Sequence, residues 1–125
     1  MKVEKLTTIL IVDAIEPLLP TWEKLGYGVT VRVPDKGACD FVILSGKAGE
    51  LMMQTRASLA DDLPGVAKLA PAFVLHADVK SVDAAEQAVA GARVIVSKRT
   101  TFYGALETWV ELAGGQVLGF AQPKT

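Results

Sequence analysis

The chain holds one histidine and one cysteine in 125 residues, no charge imbalance and no long apolar run, and each shortage closes off a class of function. A lone cysteine, Cys39, cannot form an internal disulfide; it fits a reducing compartment and reads as a small buried apolar side chain more readily than as a reactive thiol. Thirteen basic against fourteen acidic residues leave a net charge of −1, so the chain sets up no field for holding phosphates. Neither nucleic acid nor an anionic membrane is expected as a partner. The apolar stretch from Leu6 to Val12 meets Asp13 at once and lacks a small-residue cleavage site, and no segment approaches the roughly 20 apolar residues of a membrane span. A soluble, cytoplasmic protein is therefore expected. Also missing are a phosphate loop, a glycine-rich dinucleotide turn, a Ser-His-acid set with a nucleophile elbow, and cysteines at CxxC spacing.

What is present is apolar. Half the residues are hydrophobic and 22% are charged, which is apolar for a small soluble domain and predicts a homodimer in which a partner subunit covers part of the surface. The length suits a single domain. KLTTILIVD reads as a central strand, and IEPLLPTWEKLG as a short helix with Pro17 and Pro20 in its first turn, Leu18, Leu19, Trp22 and Leu25 inward, and Gly26 at its end. GVTVRVPD, CDFVILSG and GELMMQTR follow as three strands. The segment SLADDLPGVAKLA, residues 58–70, reads as a linker with a weak capping-box pattern at Ser58 and a break at Pro64-Gly65. After it the order begins again: AFVLHADV as a strand, SVDAAEQAVAGA as a helix capped by Ser81, then RVIVSK, RTTFYGALETWVEL and GQVLGFAQ as strands. Gly114-Gly115 is a hairpin turn.

Asp13 and Asp78, Gly26 and Gly91, Val29 and Val94, and Val31 and Val96 match at an offset of 65, each pair on the same landmark of the two halves. The sequence is read as two copies of one module, residues 1–57 and 71–125, within a single domain. A tandem β-α-β-β-β pair of this length, opened by LIVDAIEPLLPTWEKLGY and closed by ETWVELAGGQVLGF, resembles the vicinal oxygen chelate superfamily, which includes glyoxalase I, extradiol dioxygenases and bleomycin-resistance proteins. The resemblance implies an α+β fold in which tandem modules form a cup-shaped mixed sheet around a cavity.

In that family the metalloenzymes use a histidine on the first strand of each module and Glu or Gln on the last. One histidine cannot supply that set, and Gly119 stands where the second module would carry its Glu. Gln54 falls near the first module's late ligand position, but Gln54 and His76 alone are too few donors for a metal. No metal and no cofactor are therefore expected, and the likeness is closest to the metal-free bleomycin-resistance branch.

The candidate ligand-binding residues are Tyr103, Glu107, Trp109, His76 and Gln54. If RTTFYGALETW is one regular strand, Tyr103, Glu107 and Trp109 share a face and Phe102, Leu106 and Val110 form core on the other. Aromatic rings beside a carboxylate make a shelf for a flat or cationic molecule; equally, Glu107 is a strut paired with Arg99 or Arg56. Gly104 permits a bulge that would break this parity. His76 reads either as a hydrogen-bonded structural histidine or as a pocket acid/base. Trp22 reads as core or as a shelf of its own. Two functions remain: metal-independent binding of a small aromatic or cationic molecule, or a glyoxalase-like enzyme of lyase, isomerase or dioxygenase type with a non-standard site, using His76, Glu107 or Tyr103 for proton transfer or a metal held in an unfamiliar way.

Overall fold

A computed structural model describes residues 1–124. The chain divides into two compact units, Thr8–Phe73 and the remainder, in which Met1–Thr7 joins the segment from Val74 onward.

In the Thr8–Phe73 unit, strand β1 (Lys5–Val12) pairs in parallel through Ile9–Val12 with β4 (Gly49–Thr55). Strand β4 is antiparallel to β3 (Phe41–Gly46), and β3 to β2 (Gly28–Val33), giving the order β2-β3-β4-β1. A 3-10 turn over Glu16–Leu18 leads into α1 (Leu19–Lys24), with a proline at the start of each, where the missing N–H costs nothing. This pair covers one sheet face. Ile15, Val42, Leu44 and Met53 are fully buried beneath it, Cys39 is buried beside them, and Trp22 packs against the cluster. Cys39 and Trp22 are thus core. Leu25 is not: it is 62% exposed, because α1 ends at Lys24 and Gly26, at φ +93°, turns the chain away.

The segment read as a linker is folded. It forms α2 (Arg56–Asp62) and α3 (Pro64–Ala67), which bury Leu59, Leu63 and Val66. The cap of α2 is Thr55, whose Oγ1 accepts from the Ser58 amide at 3.1 Å; Ser58 itself lies inside the helix. Pro64 starts α3 as well as ending α2.

The other unit repeats the plan. Strand β5 (Phe73–Asp78) is parallel to β8 (Val117–Gln122), β8 is antiparallel to β7 (Leu106–Glu111), and β7 to β6 (Arg93–Thr100), in the order β5-β8-β7-β6. Helix α4 (Val82–Ala88) is capped as expected, by Ser81 Oγ accepting from the Ala84 amide at 3.1 Å. Ala77, Val79, Val82, Ala85, Val110 and Phe120 form the core between α4 and the sheet.

The matched positions have matched structure. Gly26 and Gly91 both adopt positive φ, +93° and +96°, after a helix. The ladder slips between Val29 and Val31 in β2 and between Val94 and Val96 in β6, so both copies carry a bulge at the same place. The architecture is α+β, built of two β-α-β-β-β modules.

One strand boundary differs from expectation. RTTFYGALETWVEL is not one strand: β6 ends at Thr100, and Thr101–Ala105 turns the chain into β7. The turn is closed by Thr101 N–H to the Ala105 carbonyl (2.8 Å), Ala105 N–H to Thr101 Oγ1 (2.9 Å), and Gly104 at φ +89°. Phe102 sits on this turn and is 95% exposed, so it is not core.

Candidate functional site

Four of the five candidate residues meet around Glu107, on the sheet face away from α4. Glu107 and Trp109 are two apart on β7 and share that face, while Thr108 between them points to the helix side. Arg99 on β6 lies opposite Glu107 in the ladder and reaches its Oε1 with both Nε (3.0 Å) and Nη2 (2.9 Å). Trp109 Nε1 donates to the same oxygen at 3.0 Å. Tyr103, reaching back from the turn, donates its hydroxyl to Oε2 at 3.2 Å, and His76 Nε2 stands 3.5 Å from Oε2. His76 Nδ1 lies 3.8 Å from Asp78, and the imidazole and indole rings are tilted at 55° with centroids 6.2 Å apart.

Burial alone would push the Glu107 carboxyl up. The hydrogen bonds from His76, Trp109 and Arg99, with the Arg99 charge, outweigh it and hold the group at about 2. Tyr103 moves the other way: burial, the Glu107 charge and the bond donated to Glu107 push its hydroxyl up to about 12. Glu107 and Trp109 are both only 3% exposed. What the cluster presents outward is the ring of Tyr103, 57% exposed, beside the partly buried imidazole.

Gln54 belongs to the Thr8–Phe73 unit, where its amide nitrogen donates to Ser58 Oγ at 3.1 Å. Its ladder partner is Phe41, as Met52 is that of Ile43, so these four side chains share the sheet face opposite α1. Val31 and Val33, paired with Ile43 and Phe41, extend that face and are 42% and 44% exposed. Sequence reasoning missed this apolar surface, although the alternation of GVTVRV and DFVIL was the signal for it. Arg56, the alternative partner for Glu107, pairs instead with Asp13 at 3.0 Å.

The chain's residues do not fit the metal centre that the resemblance implies. At the offset of 65, His76 corresponds to Ile11 and Gln54 to Gly119, so each copy lacks one donor. A Cβ on Gly119 would stand 2.6 Å from the Trp109 indole, which occupies the space a ligand side chain would need. Glu107 is already engaged by Arg99, Trp109 and Tyr103, and among the described residues no group of three His, Cys, Asp or Glu side chains could hold a metal.

No protein-family model and no curated protein matches the sequence. Solved structures do match. A glyoxalase/bleomycin resistance protein/dioxygenase superfamily member from Vibrio splendidus 12B01 aligns over 94% of this chain and 97% of its own, with a TM-score of 0.67 at 17% identity. A protein from Staphylococcus aureus aligns over 99% and 100% with a TM-score of 0.69, and methylmalonyl-CoA epimerase from Mycobacterium tuberculosis over 98% and 90% with a TM-score of 0.66, both again at 17% identity. This chain therefore has the glyoxalase/bleomycin resistance/dioxygenase fold, that of the vicinal oxygen chelate superfamily. The superfamily holds both enzymes and binding proteins, and at 17% identity the likeness carries the fold alone.

Proposed function

We propose that this protein binds a small, largely apolar or aromatic molecule without a metal and without turning it over. The observation that carries this reading is the state of Glu107, whose two oxygens are taken up by donors from the protein itself. A carboxyl at about 2 is a poor proton acceptor, and a tyrosine at about 12 releases no proton at neutral pH. Of the three candidate proton-transfer groups only His76 is left, which speaks against the enzymatic alternative. With Arg99 neutralising the carboxylate, a cationic ligand also loses its reason to bind here.

What remains suits a neutral flat molecule. Tyr103 offers ring surface held in one orientation by its bond to Glu107. In the Thr8–Phe73 unit, Val31, Val33, Phe41, Ile43 and Met52 make an apolar wall with Gln54 as its amide, the composition of a small-molecule site. The test is native mass spectrometry of freshly purified protein, followed by titration with neutral N-phenylnaphthylamine, read for each unit by itself, by methyl NMR of Ile43 and Met52 in one and by the ring signals of Tyr103 in the other. Saturable shifts in these signals are expected. A probe that shifts none of them would refute the reading.

A further inference from the structure

Strand β6 reaches Glu107 through an irregular stretch that decides which cation meets the carboxylate. Val96 lies opposite Trp109 and Arg99 opposite Glu107, so β6 uses two residues, Ser97 and Lys98, where β7 uses only Thr108. In an unbroken ladder counted from Val96, Ser97 would face Thr108 and Lys98 would face Glu107, with Arg99 turned to the opposite side of the sheet. The extra residue is absorbed at Lys98, whose φ of +53° lies in the left-handed region that side-chain-bearing residues seldom adopt.

Contacts on the helix side hold that conformation. The Lys98 amide, displaced from the ladder, donates to Thr108 Oγ1 at 3.0 Å, and the Thr108 hydroxyl donates to Glu86 Oε2 on α4 at 2.6 Å. Ser97 Oγ donates to the same Glu86 oxygen at 3.1 Å. Lys98 Nζ lies 2.6 Å from Asp83 and 3.8 Å from Glu86. Thr108 is fully buried, so no water substitutes for its hydroxyl.

We infer that Thr108 and Lys98 are positioning residues, a latch onto α4 that selects Arg99 over Lys98 as the partner of Glu107. The choice matters because a guanidinium reaches Oε1 through two nitrogens at once, which an ammonium cannot do, and the carboxylate so fixed aims Trp109 and Tyr103. The latch rests on the proposed binding role only for its use, which is to hold the aromatic wall in shape.

The test follows the Arg99 Nε–H and Trp109 indole N–H signals by NMR in the full chain. Thr108→Val removes the hydroxyl at similar volume, and Thr108→Ser keeps it. In the valine variant both protons should exchange with water on the order of tenfold faster, while the serine variant should match the native protein. Deleting Lys98 in the Thr108→Val background lets β6 and β7 pair residue for residue between Val96 and Arg99, so the Arg99 signal should return. A folded Thr108→Val protein with both protons unchanged overturns the latch, as does a serine variant that loosens equally. Should Thr108→Val not fold, Lys98→Val takes its place, since a β-branched residue disfavours the left-handed conformation; unchanged protons there overturn the latch too. N-phenylnaphthylamine affinity, measured on the same samples, bears on the binding reading, and the Arg99 and Trp109 signals alone decide the latch.

Discussion

Replacing Glu107 by Gln keeps the shape of the side chain and removes its charge, which isolates what the carboxylate contributes. The fall from the ordinary 4.5 to about 2 corresponds to about 3 kcal/mol of stabilisation at neutral pH. Because the folded-state value is depressed, that contribution is fully present above about pH 4.5 and drains away as pH falls toward about 2. The glutamine oxygen still accepts from Arg99 and Trp109, so the expected loss is about 2 to 3 kcal/mol, or about 8 to 12 °C in melting temperature for a chain of this size. Calorimetry at pH 7 and again near pH 2.5 measures both halves of the expectation: a wide gap between variant and wild type at neutral pH, narrowing in acid. A variant that melted within about 2 °C of wild type at pH 7 would refute the reasoning, as would a gap that stayed constant into acid.

Gly119→Ala should cost about 1 to 3 kcal/mol and shift the Trp109 emission, because the added methyl lands on a buried indole that has nowhere to move; unchanged emission and melting would show that the ring relaxes freely. Protein purified without chelator should carry far less than one equivalent of zinc, iron, nickel or manganese by elemental analysis, and a stoichiometric metal surviving dialysis would mean that a donor set had been missed. A homodimer is expected from the apolar composition; light scattering that returned the mass of one chain at micromolar concentration would exclude it.

The repeat was legible because it is written in residues whose conformation admits few substitutes. Gly26 and Gly91 share a left-handed backbone, and the valine pairs flank the same bulge in each copy. The grouping of Tyr103, Glu107 and Trp109 was also anticipated, but through an unbroken strand. Glu107 and Trp109 do share a face by alternation, whereas Tyr103 arrives from a turn. That turn was hidden because Thr, Phe and Tyr favour strands, and only the Thr101 hydroxyl and Gly104 reveal it. Phe102 was assigned to the core for the same reason. Residues 58–70 looked like a linker because Pro64-Gly65 reads as a break, although Leu59, Leu63 and Val66 recur at helical spacing and are buried. The bulge at Lys98 has no local signature: a lysine at positive φ is held there by Thr108, ten residues on, and by Asp83 and Glu86 on a separate helix.

The contact between Trp109 and Gly119 fixes an order of events in any change to this face. While the indole stands on β7, any side chain at position 119 has to displace it, a carboxylate or an amide included. A lineage or a mutant library that altered position 119 alone would yield damaged proteins, whatever chemistry the new side chain brought. Cutting back Trp109 must come first, and that step removes a donor from Glu107 with no immediate return. A donor side chain at 119 therefore takes more than a single substitution: the tryptophan guards the position, and a search for metal-binding variants has to vary both positions together.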